Sequence, residues 1–375
     1  MTTPDAIDAT DITIAVTGTH GRGTVASMIA WILEADGREP GFRFSTQAIN
    51  FDEQTRPGKG RWFVVELEDP SKPKQPHRFD YVVCNYLDLV ASEGDSQADV
   101  VGRMRRFLES NRALKESFVN LDCKGTRQLV EQAALRPTGY ALQHRAEFRA
   151  GVIEGDNADD IIELRAAHRD DPLGSFELSI PGSYNAINAL GAVAVASRLG
   201  VAPEVIADAL RDYRGLQNRY AVSSGGGVTI IKDFVQNPAA LRRVVRSTAS
   251  GTEQNVIAVW AGDDTGVEAA VDDYADAFRD CHQVFVLGRD DMFPADALVG
   301  AIRERGVDAD VVAEQSVVDR VVEHAGAGDR IAFLGDDAFL KQADHVQAEF
   351  VARAGQAPPE QQQQRFDSPL NEGDD

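Results

Sequence analysis

Residues 12–33 read ITIAVTGTHGRGTVASMIAWIL, and the pattern is that of a buried strand, a glycine-rich turn and a helix. Such a turn leaves free backbone N–H groups at the amino end of the helix, where the helix dipole also favours an anion. Gly18, Gly21 and Gly23 let the backbone come close to a ligand. The stretch therefore predicts a phosphate-binding loop. The simpler alternative is a tight turn in an α/β sheet that holds no ligand.

A phosphate loop usually carries Lys followed by Ser or Thr, and here Arg22 and Gly23 stand in those places. Arg22 keeps the positive charge, but its guanidinium group is larger and less mobile than the ammonium group of Lys. Gly23 has no hydroxyl for Mg²⁺, although Thr24 follows it. The residues expected to contact phosphate groups are Gly18, Thr19, Gly21, Arg22, Gly23 and Thr24. The glycine spacing does not match the G-x-G-x-x-G pattern of dinucleotide-binding proteins.

The composition of the chain limits its partners. It has 375 residues, 43% of them hydrophobic, and a formal net charge of −22. Seven lysines stand against 31 arginines and 60 acidic residues. An acidic, lysine-poor surface suits a high-salt cytoplasm, with an ordinary acidic cytosolic protein as the alternative. The charge disfavours binding to nucleic acid or to an anionic membrane.

No targeting or metal motif stands out. Cys84, Cys123 and Cys281 lie far apart and indicate neither a zinc site nor a disulfide framework. The first residues, MTTPDAIDATD, do not have the pattern of a signal peptide, and no apolar run reaches the roughly 20 residues of a membrane helix. We therefore expect a cytoplasmic protein.

Strand and helix patterns alternate along most of the chain, which predicts an α/β fold with a parallel sheet. The pattern weakens to short strands between Phe148 and Leu178 and resumes as a second α/β unit after the SSGGG stretch. The last residues are rich in Pro and Gln and predict disorder. The expected divisions are an N-terminal extension (1–11), a central nucleotide-binding domain of the P-loop type (12–218), a smaller Rossmann-like C-terminal domain (219–353) and a disordered tail (354–375).

The opening stretch resembles the phosphate loop of the Mur ligase superfamily, and especially that of muramate–alanine ligases, in which GTHGKT is usual. Mur ligases are ATP-dependent enzymes that join an amino acid to a carboxylate. Four further segments match the family in the same order: VVELED (64–69), PGSYNAINALGAVAVASRLGV (181–201), GLQNRY (215–220) and IIKDFVQNPAALRRVV (230–245). The resemblance covers roughly residues 12–340.

The resemblance also implies roles for single residues. Glu66 would bind Mg²⁺ with Thr24, and Arg22 would stabilise the transferring phosphoryl group. Asn188 would contact the adenine, with Asn185 beside it. Arg219 would reach the nucleotide phosphates, and Asp233 would hold the ribose. Asn237 and Pro238 would shape the turn that follows.

The sequence departs from the family mainly where the chemistry occurs. Besides the changes at Arg22 and Gly23, the metal-binding His expected after the third strand is not evident in CNYLDLVASEGD, where Asp88 preserves part of the pattern. The Lys that becomes carbamylated in the family has no counterpart in GRMRRFLES, and Gln236 replaces a His. The losses surround the γ-phosphate and its metals, whereas the expected base and ribose contacts persist.

Two functions follow from this pattern. The first is an ATP- and Mg²⁺-dependent ligase that joins a small-molecule carboxylate to an amino acid through an acyl-phosphate. The alternative is a degenerate relative that binds nucleotide or a partner without ligase activity, with a protein partner or an intact paralogue as the expected companion. The nucleotide-sugar domain of the bacterial cell-wall enzymes would be absent, which favours the compact relatives such as folylpolyglutamate and poly-γ-glutamate synthetases.

Overall fold

The computed structural model describes residues 12–67, 78–88, 96–133, 136–153, 162–180, 182, 184–235, 238–250, 253–262, 270–288, 294–336 and 338–356. The predicted N-terminal extension, the predicted turn residue Asn237, Gln236 and most of the predicted tail lie outside these residues. The last helix continues to Gln356, so the first three residues assigned to the tail are helical.

The first α/β unit is built on a twisted sheet of ten strands within the described residues. Six neighbouring strand pairs are parallel, which confirms the predicted α/β class. The sheet order is β10-β9-β8-β7-β6-β5-β1-β4-β2-β3. Its strands are β1 Ile12–Thr17, β2 Gly41–Arg43, β3 Thr55–Arg56, β4 Trp62–Leu67, β5 Tyr81–Cys84, β6 Glu116–Asn120, β7 Thr138–Ala141, β8 Phe148–Ile153, β9 Ile162–His168 and β10 Asp171–Leu178.

The helices described in this unit are α1 Arg22–Ala35, α2 Gln97–Ser110, α3 Lys124–Gln132, α4 Tyr184–Arg198 and α5 Pro203–Asp212. Helix α4 is buried from Asn185 to Ala196, as expected of a helix that is apolar on every face. It packs against α1, which has only small or apolar residues on the shared face.

Two parts of this unit differ from a uniform parallel sheet. Strand β9 is antiparallel to both of its neighbours, β8 and β10, and the three strands extend one edge, where the sequence predicted only short strands. Strands β2 and β3 and helix α3 have no counterpart in the predicted elements. Strands β2 and β3 span three and two residues, too few for a periodic pattern to reveal.

The second unit is a six-stranded sheet in the order β11-β12-β16-β13-β14-β15. Among the described strands of this sheet only β11 is antiparallel, and it forms a hairpin with β12 through the glycines of the SSGGG stretch. The strands are β11 Ala221–Gly225, β12 Val228–Asp233, β13 Val256–Trp260, β14 Gln283–Leu287, β15 Asp308–Val312 and β16 Arg330–Leu334. The helices are α6 Pro238–Ala249, α7 Val271–Ala277, α8 Ala295–Glu304, α9 Val317–His324 and α10 Gln342–Gln356.

The topology gathers polar residues at one edge of the first sheet. Strands β5, β1 and β4 are adjacent and parallel, with Val16 paired to Glu66 and Thr17 paired to Cys84. The glycine-rich turn, Glu66 and the segment after β5 therefore lie together at the carboxyl ends of the strands, where open α/β sheets bind ligands. No helix among the described residues is long and apolar enough to cross a membrane.

Candidate functional site between the two sheets

The glycine-rich turn is held in a conformation that requires glycine. Gly18 and Gly21 have φ angles of 136° and 73°, and α1 begins directly after Gly21. A Cβ atom on Gly18 would lie 2.7 Å from the carbonyl oxygen of Tyr86, and one on Gly21 would lie 2.4 Å from Asn85 Nδ2. The turn therefore sits tightly on its support, with the amino end of α1 facing the cavity described below.

The support of the turn is the segment that follows β5. The Thr19 N–H donates to the Tyr86 carbonyl oxygen at 2.8 Å, and the Asp88 N–H donates to Thr19 Oγ1 at 3.2 Å. The Asn85 N–H donates to the Thr17 carbonyl oxygen at 3.1 Å. These bonds hold the turn against the segment that follows β5.

A buried chain of side-chain hydrogen bonds lies beneath the turn. The Tyr140 hydroxyl donates to Asn85 Oδ1 at 2.9 Å, and Asn85 Nδ2 donates to Asn188 Oδ1 at 2.7 Å. Asn188 Nδ2 in turn donates to Asn185 Oδ1 at 3.1 Å. This chain explains why a helix as apolar as α4 carries two asparagines. It places Asn188 against Gly21, and the contact of Asn188 with an adenine stays a prediction.

Arg22 forms an ion pair with Glu66. Its Nε lies 3.0 Å from Glu66 Oε1, and its Nη1 donates to the Gly18 carbonyl oxygen at 3.2 Å. The other carboxylate oxygen, Oε2, accepts from the backbone N–H of Ser45 at 2.8 Å and from its hydroxyl at 2.7 Å. The Glu66 side chain is only 4% exposed. Both oxygens of Glu66 are thus engaged by protein donors.

This arrangement does not fit the expected binding of Mg²⁺ to Glu66. A metal ion on this carboxylate would compete with a guanidinium that already supplies the positive charge. Among the described residues there is also no group of three His, Cys, Asp or Glu side chains arranged to hold a metal ion. Thr24 lines the same cavity, but it stands beside this ion pair rather than beside a second carboxylate.

A second cluster joins the turn to the second unit. The His20 ring stacks on Tyr86 with ring centroids 4.1 Å apart, and the Arg243 guanidinium lies over the Tyr86 ring at 4.8 Å. Asp88 Oδ2 is 3.2 Å from His20 Nε2 and 3.8 Å from the Arg243 Nη1 atom. Burial, reinforced by the charges of Arg243 and Arg22, lowers the pKa of His20 well below its usual range. His20 is therefore neutral at neutral pH.

The connection between the two units has an unusual backbone. Asn218 and Tyr220 have φ angles of 53° and 46°, in the left-handed region. Between them, Arg219 Nη2 donates to Thr46 Oγ1 at 3.2 Å, and the Arg219 guanidinium lies 4.3 Å above the Phe234 ring. The residue predicted to reach phosphates is thus held by side chains from both units.

Asp233 ends β12 and is 6% exposed. Its Oδ2 accepts from the Tyr184 hydroxyl at 3.4 Å, a long hydrogen bond. Burial raises the pKa of Asp233 to about 7, although the nearby Arg219 charge and hydrogen bonds oppose the rise. Near neutral pH the carboxyl is therefore partly protonated and can donate as well as accept.

One cavity of about 320 Å³ connects these groups, a volume within the range of small-molecule sites. All of the predicted site residues except Gly18 line it. The lining also includes residues that sequence reasoning did not select: His20, Ser45, Thr46, Tyr86, Tyr184 and Arg243. Tyr86 lies close after β5 and could have been chosen, whereas Ser45 and Thr46 follow the short β2, and Arg243 occupies an ordinary amphipathic helix.

The lining suits an anionic ligand. Arg22, Arg219 and Arg243 face it, against the carboxyl groups of Glu66 and Asp233. Arg243 Nη2 is buried and has no hydrogen-bond partner among the described residues. Together with the amino end of α1, these groups fit the phosphates of a nucleotide.

Comparison with known proteins agrees with this geometry. Residues 218–336 match the family model described as "Mur ligase, glutamate ligase domain". The chain is 26% identical over 337 residues to a UDP-N-acetylmuramate–L-alanine ligase of Anaeromyxobacter sp. (strain Fw109-5), an alignment that covers 86% of this chain and 72% of the relative.

Solved structures show the same fold. The UDP-N-acetylmuramate–alanine ligase MurC of Thermotoga maritima superposes with a TM-score of 0.73 at 17% identity, covering 92% of this chain and 76% of that one. A MurF ligase of the same organism, solved in complex with ADP, gives a TM-score of 0.68 at 14% identity, covering 92% and 81%. The chain therefore shares the α/β fold of the Mur ligases, and its sequence is similar to that of a muramate–alanine ligase over 86% of its length.

Proposed function

We propose that this chain is an ATP-dependent carboxylate–amine ligase of the Mur type. The observation that carries the proposal is the single cavity lined both by the phosphate-binding turn and by Arg219 and Asp233 of the connection and the second sheet. A nucleotide bound there would place its phosphates on the turn and its sugar near Asp233. The relatives that are named as amide-forming ligases support the same assignment.

Each group of the cavity has a part in the proposal. When bound, ATP supplies the phosphoryl group that converts the substrate carboxylate to an acyl-phosphate, which the amine of an amino acid then attacks with loss of phosphate. The first N–H groups of α1 and Arg22 hold the phosphate end. Arg219, fixed by Thr46 and Phe234, neutralises charge from the side of the second unit. Partly protonated Asp233 bonds a ribose hydroxyl.

One observation favours a second function, the binding of nucleotide without turnover. The Arg22–Glu66 pair occupies the carboxylate expected to hold the metal, and metal ions commonly stabilise charge on a transferred phosphoryl group. In that case the chain would act as a nucleotide-dependent binding protein, with a protein partner or a paralogue as its target.

Turnover separates the two functions. The purified chain is incubated with ATP and mixtures of small carboxylic acids and amino acids, in molar KCl because the charge of −22 suggests a high-salt cytoplasm. Release of ADP that requires both an acid and an amino acid supports the ligase. A rise in melting temperature with ATP or ADP but no ADP release under any mixture supports the binding function and rejects the ligase.

The altered turn provides a matched variant. The double substitution Arg22→Lys with Gly23→Thr restores the residues usual in phosphate loops. If turnover is detected in this variant but not in the original chain, the turn is a phosphate site that has lost its activity. If the original chain turns over faster than the variant, the arginine is part of a working site.

A further inference from the structure

We propose that the phosphate end of the cavity binds the polyphosphate of a nucleotide through arginine side chains and without a divalent cation. The Arg22 guanidinium supplies the positive charge that a metal ion would otherwise provide. Arg243 supplies a second guanidinium from the other side of the cavity. The inference rests on the nucleotide site of the proposed function and specifies the form of the ligand, which is the metal-free anion.

The first argument is the state of Glu66. Its two oxygens accept three hydrogen bonds, one from Arg22 Nε and two from Ser45. The side chain is almost completely buried, and the Arg22 side chain is 21% exposed. A divalent cation could bind this carboxylate only by displacing Arg22, and the released guanidinium would leave two carbonyl oxygens of the turn, those of Gly18 and Thr19, without their donor.

The second argument is the space at residue 23. A Cβ atom on Gly23 would lie 3.2 Å from Glu66 Oε2 and 3.2 Å from Leu216 Cδ1. These contacts are tighter than ordinary packing, so a Thr here would push against the carboxylate that Arg22 holds. The two departures from the usual loop therefore belong together, because Gly23 makes room for the ion pair that Arg22 forms.

The third argument is Arg243. It extends from α6 to the Tyr86 ring, 3.8 Å from Asp88, and its buried Nη2 has no hydrogen-bond partner among the described residues. A buried guanidinium N–H without an acceptor is unfavourable, and a phosphate oxygen is a suitable acceptor. Neutral His20 beside it can donate or accept without adding charge.

The test measures ADP and ATP binding by calorimetry in molar KCl, once with EDTA and once with excess Mg²⁺. We expect binding in EDTA and several-fold weaker binding in Mg²⁺, because the metal lowers the negative charge of the nucleotide that the arginines recognise. Arg22→Met removes a charge-assisted contact and should weaken binding in EDTA by about 10- to 100-fold.

The Glu66→Gln variant distinguishes metal-free binding from Mg²⁺ binding at Glu66, because the two predict different changes in nucleotide affinity. The variant keeps an oxygen for Ser45 and loses the negative charge, so we expect equal or tighter binding of ADP in EDTA. If Glu66 instead holds Mg²⁺, the same variant weakens binding in Mg²⁺. Glu34→Gln is the matched control, because Glu34 pairs with Arg56 at 2.6 Å and does not line the cavity.

The outcomes distinguish this inference from the proposed function. Nucleotide binding that needs Mg²⁺ overturns the inference and leaves the ligase proposal standing. Binding of inorganic tripolyphosphate in EDTA, weakened by Arg22→Met and by Arg243→Met, supports the inference even if turnover is absent. If neither nucleotides nor tripolyphosphate bind with or without Mg²⁺, both proposals are wrong.

Discussion

Glu66 and Asp233 are two buried carboxyl groups in one cavity, and the protein neutralises them in different ways. Glu66 lies at the phosphate end and is paired with the guanidinium of Arg22 at 3.0 Å. Asp233 ends β12 in the second sheet, where the Arg219 charge, backbone hydrogen bonds from Tyr220 and Phe234 and a long hydrogen bond from Tyr184 oppose the effect of burial without overcoming it. Its pKa rises to about 7, so a proton rather than an ion pair neutralises it.

The contrast shows that the two ends of the cavity have different tasks. At the phosphate end the carboxylate of Glu66 is paired with the Arg22 guanidinium, which suits a site that must recognise a strongly charged group. At the other end the carboxyl changes its state near neutral pH and can donate or accept a hydrogen bond, which suits a sugar hydroxyl. The predictions below test this difference, in order of decreasing effect.

The largest expected effect is the pH dependence of stability caused by Asp233. Its pKa is raised from 3.8 to about 7 in the folded protein, so the folded state holds a proton that the unfolded state releases. The stabilisation is complete below pH 3.8 and is lost as the pH rises through about 7. About three pKa units correspond to roughly 4 kcal/mol.

The measurement compares the unfolding free energy of the wild type with that of Asp233→Asn between pH 4 and pH 8. We expect the wild type to lose stability relative to the variant steadily as the pH rises from 4 to about 7, with little further change above the folded pKa of about 7. The difference cancels the contributions of other groups. A difference that does not vary with pH would show that Asp233 is not desolvated.

The second effect concerns the ion pair at the other end. Arg22→Met leaves Glu66 buried without its counter-charge, and we expect a loss of about 3 kcal/mol in unfolding free energy. The double variant Arg22→Met with Glu66→Gln should recover most of this loss, because the unpaired charge is gone. Denaturant unfolding measures the loss of unfolding free energy in both variants. Equal losses in the single and double variants would contradict the pairing of Arg22 with Glu66.

The third effect concerns the turn itself. Gly21→Ala adds a Cβ atom within 2.6 Å of both Asn85 Nδ2 and Asn188 Oδ1, at a φ angle of 73°. Gly200→Ala is the matched control, since Gly200 has a φ angle of 79° but open space around it. We expect the control to lose about 1 kcal/mol of unfolding free energy, from the left-handed backbone alone. Gly21→Ala should lose about 2 kcal/mol or more. Melting curves of the two variants, recorded with and without ADP, measure these two losses of stability.

The smallest effect on stability is expected for a substitution of Arg243. The same substitution should have a clear effect on ADP binding. Arg243→Met should cost less than about 1 kcal/mol of stability, since it removes a cation–π contact. It should weaken ADP binding about tenfold through loss of a phosphate contact. Arg246→Met, one turn along α6, removes an exposed arginine paired with Asp280 and should leave ADP binding unchanged. Equal effects of the two variants would show that Arg243 acts only through overall charge.

The sequence alone determined the α/β class, the strand–turn–helix unit around Gly18 and Gly21, and the order of motifs that the Mur ligases share. These features depend on local pattern: apolar periodicity, glycines that require positive φ, and short segments read in sequence. The short strands β2 and β3 were not predicted, because elements of two or three residues are too short to show a periodic pattern.

Only the tertiary structure decided how the site residues are paired. Arg22 and Glu66 are 44 residues apart, and the adjacency of β1 and β4 is what brings them together as an ion pair. The burial of Asp233, the support of the turn by Asn85 and Asn188, and the reach of Arg243 across the cavity likewise depend on contacts between distant segments. Charge and burial at a site are properties of the assembled surroundings, and no single segment contains them.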